Sequence, residues 1–95
     1  MIQVNPGGNV RFTFDYHTFH QVYLVGDFNK WDTKSHPLRR VSKTWTIDLK
    51  LSPGEYRYNY LADEILYSDL QAHRYDKNNQ GAEVSIVIVP PQNIN

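Results

Sequence analysis

The sequence contains no cysteine, which removes a disulfide scaffold, a thiolate metal site and a thiol nucleophile together. It also lacks net charge, with ten basic residues against ten acidic ones. A phosphate-backbone binder draws its affinity from clustered Lys and Arg that release counterions, whereas the longest basic cluster here is Arg39-Arg40 with Lys43 nearby. Nucleic acid is therefore not an expected partner. No apolar run approaches the roughly 20 residues that span a bilayer, so no membrane partner is expected. Nor does Met1 to Val10 carry the apolar stretch behind a basic start that marks a secretory leader, which makes the cytoplasm the expected compartment. A sustained helical period and internal repeats are missing too. What remains is a chain of 95 residues, room for one core and no second.

The residues present favour strands. Apolar residues make up 40% of the chain and aromatics 14%, a β-branched and aromatic bias that suits pleated, half-buried surfaces. Asn5-Pro6-Gly7-Gly8-Asn9 is a cluster of turn-formers that places the first strand at Val10, where Val10, Phe12 and Phe14 alternate with Arg11 and Thr13. The central strand is expected over Val22 to Phe28. In it Val22 and Leu24 share one face, Tyr23 and Val25 the other, before Gly26 lets the backbone bend and Asp27 and Asn29 supply turn chemistry. Pro37 should block ladder pairing while Leu38 tucks inward. Trp45, Ile47, Leu49 and Leu51 then occupy one face of a clear alternation.

Ser52-Pro53-Gly54-Glu55 reads as a hairpin turn, with Tyr56, Tyr58, Tyr60 and Ala62 on one face of its second arm and Arg57, Asn59 and Leu61 on the other. A short strand is expected at Ile65 to Tyr67, a long polar loop from Ser68 to Gly81, and a last strand from Val84 to Val89. The expected architecture is an all-β, antiparallel two-sheet sandwich of about seven strands. Residues 1–9 are expected to form an N-terminal extension, 10–89 the domain and 90–95 a C-terminal tail, frayed from Gln92 to Asn95.

The two tryptophans differ in their setting. The period-two neighbours of Trp45 are apolar, so it belongs to the core, whereas those of Trp31 are Asn29 and Thr33. A large ring on a polar loop either caps the core edge, meets another domain or serves as a platform for a ligand. Signals for chemistry are weak by comparison. His17 and His20 lie three apart in a loop without a third ligand at a characteristic spacing, which falls short of a zinc signature. Ten carboxylates guarantee chance pairs, yet a sandwich this small has little volume for a water-excluding cleft. No Ser-His-Asp set or Gly-rich phosphate loop is signalled, so neither catalysis nor a cofactor is expected.

GDFNKWD at 26–32, with HPL at 36–38, TW at 44–45, LSPGEYRYNY at 51–60 and YSD at 67–69, resembles the early-set module of carbohydrate-binding family 48. That module precedes the catalytic barrel in glycogen branching enzymes and isoamylases. A close relative is the glycogen-binding domain in the beta subunit of AMP-activated protein kinase. The resemblance covers roughly residues 10–89. It implies an immunoglobulin-like sandwich without catalysis that binds α-1,4-glucan or helps to hold a neighbouring domain.

In glycogen-binding members two tryptophans stack on sugar rings, and a Lys and an Asn bond to hydroxyls. Trp31 stands at the first of these places, Asn59 at the Lys, Leu66 at the second Trp and Val84 at the Asn. The resemblance thus implies a carbohydrate site of Trp31, Asn59 and Leu66, with binding weakened by the replacements. By the family register Val84, Ile86 and Ile88 face outward near Leu66 and Leu61, an apolar strip that implies the alternative of self-association or docking to a glucan-active enzyme or kinase subunit.

Overall fold

Alternation sets the two layers. The computed structural model describes residues 1–15 and 18–91, and within them nine strands are joined without an α-helix. β1 (Ile2–Asn5), β2 (Asn9–Phe14), β5 (Thr44–Lys50) and β4 (Arg39–Val41) form one sheet in the order β1-β2-β5-β4. β3 (Val22–Gly26), β6 (Gly54–Ala62), β9 (Glu83–Val89) and β8 (Arg74–Lys77) form the other in the order β3-β6-β9-β8, and β7 (Ile65–Tyr67) also pairs with β6. Every pairing is antiparallel. This is an all-β immunoglobulin-like sandwich.

The inward residues close a thin aromatic core between the sheets. Tyr58 and Tyr60 of β6 are fully buried and meet the opposite sheet ring to ring, with Phe12 5.1 Å from Tyr58 and Phe14 4.9 Å from Tyr60 between centroids. Their hydroxyls both donate to Oδ2 of the buried Asp69, at 2.7 and 3.0 Å. Burial, reinforced by that neighbouring carboxylate, drives both phenols far above the ordinary tyrosine range, so they remain donors at any physiological pH. Trp45 joins this core at 7% exposure.

Several sequence expectations are corrected. Ser52-Pro53 does not close a hairpin, because β5 pairs with β2 and β4 while β6 pairs with β3, β7 and β9; the turn carries the chain from one sheet to the other. The central strand ends at Gly26, and Asp27–Asn29 is a 3₁₀ turn. Pro37 does not stop pairing: it is bridged to Tyr23, and its neighbours supply the bonds that proline cannot, Leu24 N–H to His36 C=O and Leu38 N–H to Val22 C=O. A strand precedes Val10, since Ile2–Asn5 pairs with β2 from Ile2 opposite Phe12 to Asn5 opposite Asn9. The expected loop from Ser68 to Gly81 contains β8. The frayed-tail expectation for Gln92 to Asn95 and the His17 half of the histidine pair lie outside the described residues.

Candidate functional site

The candidate site starts where β3 stops. A Cβ at Gly26 would lie 2.5 Å from the Arg57 carbonyl and 2.9 Å from the Tyr58 Cβ, so glycine is required by the close approach of β3 to β6 rather than by an unusual torsion. Phe28 turns inward against Phe12. Asn29 knits the turn: its Oδ1 accepts from the Gly26 N–H at 3.1 Å and its Nδ2 donates to the Leu24 carbonyl at 3.0 Å. The next two residues, Lys30 and Trp31, adopt left-handed φ angles of 55° and 59°, a conformation that costs non-glycine residues about 1–2 kcal/mol each. The Trp31 N–H to Gly26 C=O bond of 2.9 Å closes the loop over that cost.

This backbone path lifts the indole of Trp31 to the surface, where the residue is 37% exposed. The ring is not free to swing. Its Nε1–H donates to Asp27 Oδ1 at 3.0 Å, and Asp27 Oδ2 accepts the backbone N–H of Arg57 at 2.8 Å. One carboxylate therefore fastens the loop aromatic to β6.

Trp31, Asn59 and Leu66 line one concavity of about 490 Å³, together with Asp27, Arg57 and Val84 among others. Asn59 is the surprise. It points to the outer face yet is only 6% exposed, because β6 changes partner at this residue. Gly54 to Tyr58 pair with β9, Tyr60 to Ala62 pair with β7, and Asn59 falls between the two. Its side chain fills the missing rungs, with Oδ1 accepting from the Ser85 N–H and hydroxyl at 3.2 and 3.1 Å and Nδ2 donating to the Glu83 carbonyl at 3.1 Å. An amide carries two N–H donors, and these bonds use one of them. Leu66, opposite Leu61 across the β6–β7 pair, is 56% exposed.

The apolar strip expected at Val84, Ile86 and Ile88 is covered. Val84 and Ile86 are 3% and 4% exposed and Ile88 is half-buried. Arg57 on β6 and Arg74 on β8 both stand opposite Ile86. Arg57 pairs with Asp76 on β8 and Arg74 with Glu55 on β6, so both ion pairs span β9. Long side chains with apolar stems thereby cover the strand while their charged heads remain wet. In the sequence Arg57 only shares a face with Asn59 and Leu61, and Arg74 and Asp76 fall in the expected polar loop; the register reveals the cover.

Sequence reasoning also passed over Asp27 as the anchor of the ring, and the wall supplied by Ser68, Asn78 and Glu83. Ser68 donates to Glu83 at 2.7 Å, and Asn78 Oδ1 accepts the N–H groups of Gln80 and Ala82. The Asn-rich run signalled a turn, but not that the turn closes one side of the concavity. The charged groups at the rim are already engaged, Asp27 by the Trp31 ring and Arg57 backbone N–H groups, Arg57 by Asp76 and Glu83 by Ser68, and the apolar platform between them suits a hydroxyl-rich ligand.

Comparison with known proteins agrees with this architecture. The chain is 71% identical over 21 residues, 22% of its length, to a 1,4-alpha-glucan-branching enzyme of Dictyostelium discoideum, of which the match covers 3%. Among solved structures it is similar to the maltogenic amylase from S. marinus, with a TM-score of 0.75 and 20% identity over 97% of this chain and 16% of that one; at that identity the likeness speaks for the fold alone. The model of the glycogen recognition site of AMP-activated protein kinase matches residues 9–95, and the chain belongs to that family of carbohydrate-binding modules.

Proposed function

We propose that this chain is a non-catalytic α-glucan-binding module in which the Trp31 indole stacks on a sugar ring, Leu66 extends the apolar platform and Asn59 offers its spare amide hydrogen to a hydroxyl. The observation that carries the reading is the half-exposed ring of Trp31, tied by Asp27 at the mouth of a concavity that Asn59 and Leu66 also line. An aromatic face buried against a ligand contributes on the order of a few kcal/mol. One such face is present where glycogen-binding relatives have two, so binding is weak, in keeping with Leu66 and Val84 at the remaining positions. The alternative reading, self-association or docking through Val84, Ile86 and Ile88, is less favoured because Val84 and Ile86 are buried and Arg57 and Arg74 flank Ile86. Affinity electrophoresis in gels containing glycogen or amylose tests the proposal. Wild type should be retarded and Trp31→Ala should not, with both variants giving the same folded spectrum. Equal migration of the two at every glucan concentration would remove glucan binding through Trp31.

A further inference from the structure

We propose that the glucan site does not end at Trp31 but continues across the outer face of the sheet into a second concavity around Tyr23 and Lys34, so that the module favours long linear chains over short ones. The inference rests on the glucan reading above. This second concavity measures about 580 Å³ and is lined by His20, Tyr23, Lys34, Leu61 and Asp63, among others. Two features join it to the first. Leu66, Leu61 and Tyr23 stand directly opposite one another on β7, β6 and β3, so their side chains form one row on the outer face that spans about 10 Å at ordinary strand spacing. Leu66 lines the first concavity and Leu61 and Tyr23 line the second. The Trp31 loop also serves both, with Trp31 on one side and Thr33 and Lys34 on the other.

The chemistry of the second concavity suits the same ligand. Lys34 faces Asp63 and Glu64 across the concavity, so a polyanion gains nothing from the site. Asp63 is already occupied, accepting the backbone N–H groups of His20 and Gln21. The exposed Lys34 makes no ion pair among the described residues, which leaves an ammonium with three donors beside a half-buried tyrosine. A ring to lie on and donors at its edge are what a neutral polyhydroxylated chain requires. Tyr23 is therefore a second platform, and Lys34 a donor to the sugars that reach it.

Titration calorimetry with maltotriose and maltoheptaose tests the extension. Wild type should bind maltoheptaose roughly tenfold more tightly than maltotriose. Tyr23→Ala and Lys34→Ala should each shrink that ratio while leaving maltotriose affinity unchanged, and Trp31→Ala should weaken both sugars. The exposed Lys34 side chain keeps the test valid should Tyr23→Ala fold poorly. An unchanged ratio in Lys34→Ala and in folded Tyr23→Ala would overturn the extension and leave the Trp31 site standing. Failure of wild type to bind either sugar would overturn the glucan reading and the extension with it.

Discussion

Asp27 and Trp31 form a single unit in which a carboxylate holds an indole: Oδ1 accepts the ring N–H at 3.0 Å while Oδ2 accepts the Arg57 backbone N–H at 2.8 Å. The aromatic platform is thus oriented before any ligand arrives, and orientation paid for in the free protein is not charged again on binding. Asp27→Ala should release the ring while leaving the core intact. The expected outcome is a several-fold loss of glucan affinity, about 1 kcal/mol or somewhat less, with the indole emission moving toward that of a solvated ring. A double-mutant cycle with Trp31→Ala should be strongly non-additive, since the two residues act through one contact.

The two tryptophans should separate stability from binding. Trp45 is buried in the core cluster, and truncation of a large core aromatic to Ala costs about 3–5 kcal/mol. Trp45→Ala should therefore unfold a large share of the domain in mild urea. Trp31→Ala should shift the urea midpoint little, because the ring lies on the surface.

Asp69 offers a test of the core network. Tyr58 and Tyr60 bury their hydroxyls against its Oδ2, and its Oδ1 accepts the Gln71 N–H at 2.9 Å. Asp69→Ala strands the buried Tyr58 hydroxyl, at about 1–3 kcal/mol, and leaves Tyr60 only its longer bonds to the Met1 and Thr13 carbonyls. A lowered midpoint in urea denaturation should reveal it, together with a smaller loss in Asp69→Asn, which retains one acceptor oxygen.

The pH dependence follows from Asp63. Its carboxyl is held below the ordinary aspartate value first by the Gln21 N–H bond, then by the His20 backbone and ring. A folded value below the unfolded one stabilises the fold fully above the ordinary aspartate value, near 3.9, and that contribution is lost as pH falls through the folded value. Asp48, lowered by its bond to Arg11, acts in the same direction. Acid titration of the folded signal should thus show stability declining below that range, with a shallower decline in Asp63→Asn. An identical profile for that variant would argue against the linkage.

The legible parts of the fold were those with a buried face. Val10, Phe12 and Phe14, or Tyr56 to Ala62, alternate because one side meets the core, and GDFNKWD could be read as strand, turn and displayed ring. β4 and β8 escaped because they are sheet edges with every residue exposed, so no period of two survives in their sequence. β1 has only Ile2 and Val4 to signal it before a dense turn cluster. The burial of Asn59, which the sequence placed only on the outer face, was not legible for a different reason: it comes from the change of partner between β7 and β9, a fact of long-range pairing that local pattern does not contain. The hairpin reading of Ser52-Pro53 failed similarly, since turn chemistry specifies a reversal of the chain and not the sheet that receives it.

Leu66 provides the gain-of-function test. It is exposed, lines the concavity with Trp31 and sits on the short strand β7 opposite Leu61, at the place where the resemblance puts a second stacking tryptophan. An indole there should find room, because the leucine is at the surface and displaces no core atom. Leu66→Trp should therefore leave the urea midpoint nearly unchanged and tighten binding to maltoheptaose by roughly tenfold, the equivalent of 1.4 kcal/mol for a modest share of one aromatic face. The gain must vanish when Trp31→Ala is added if the two rings grip one chain. A Leu66→Trp protein that folds normally and binds no better would show that this wall of the concavity does not face the sugar.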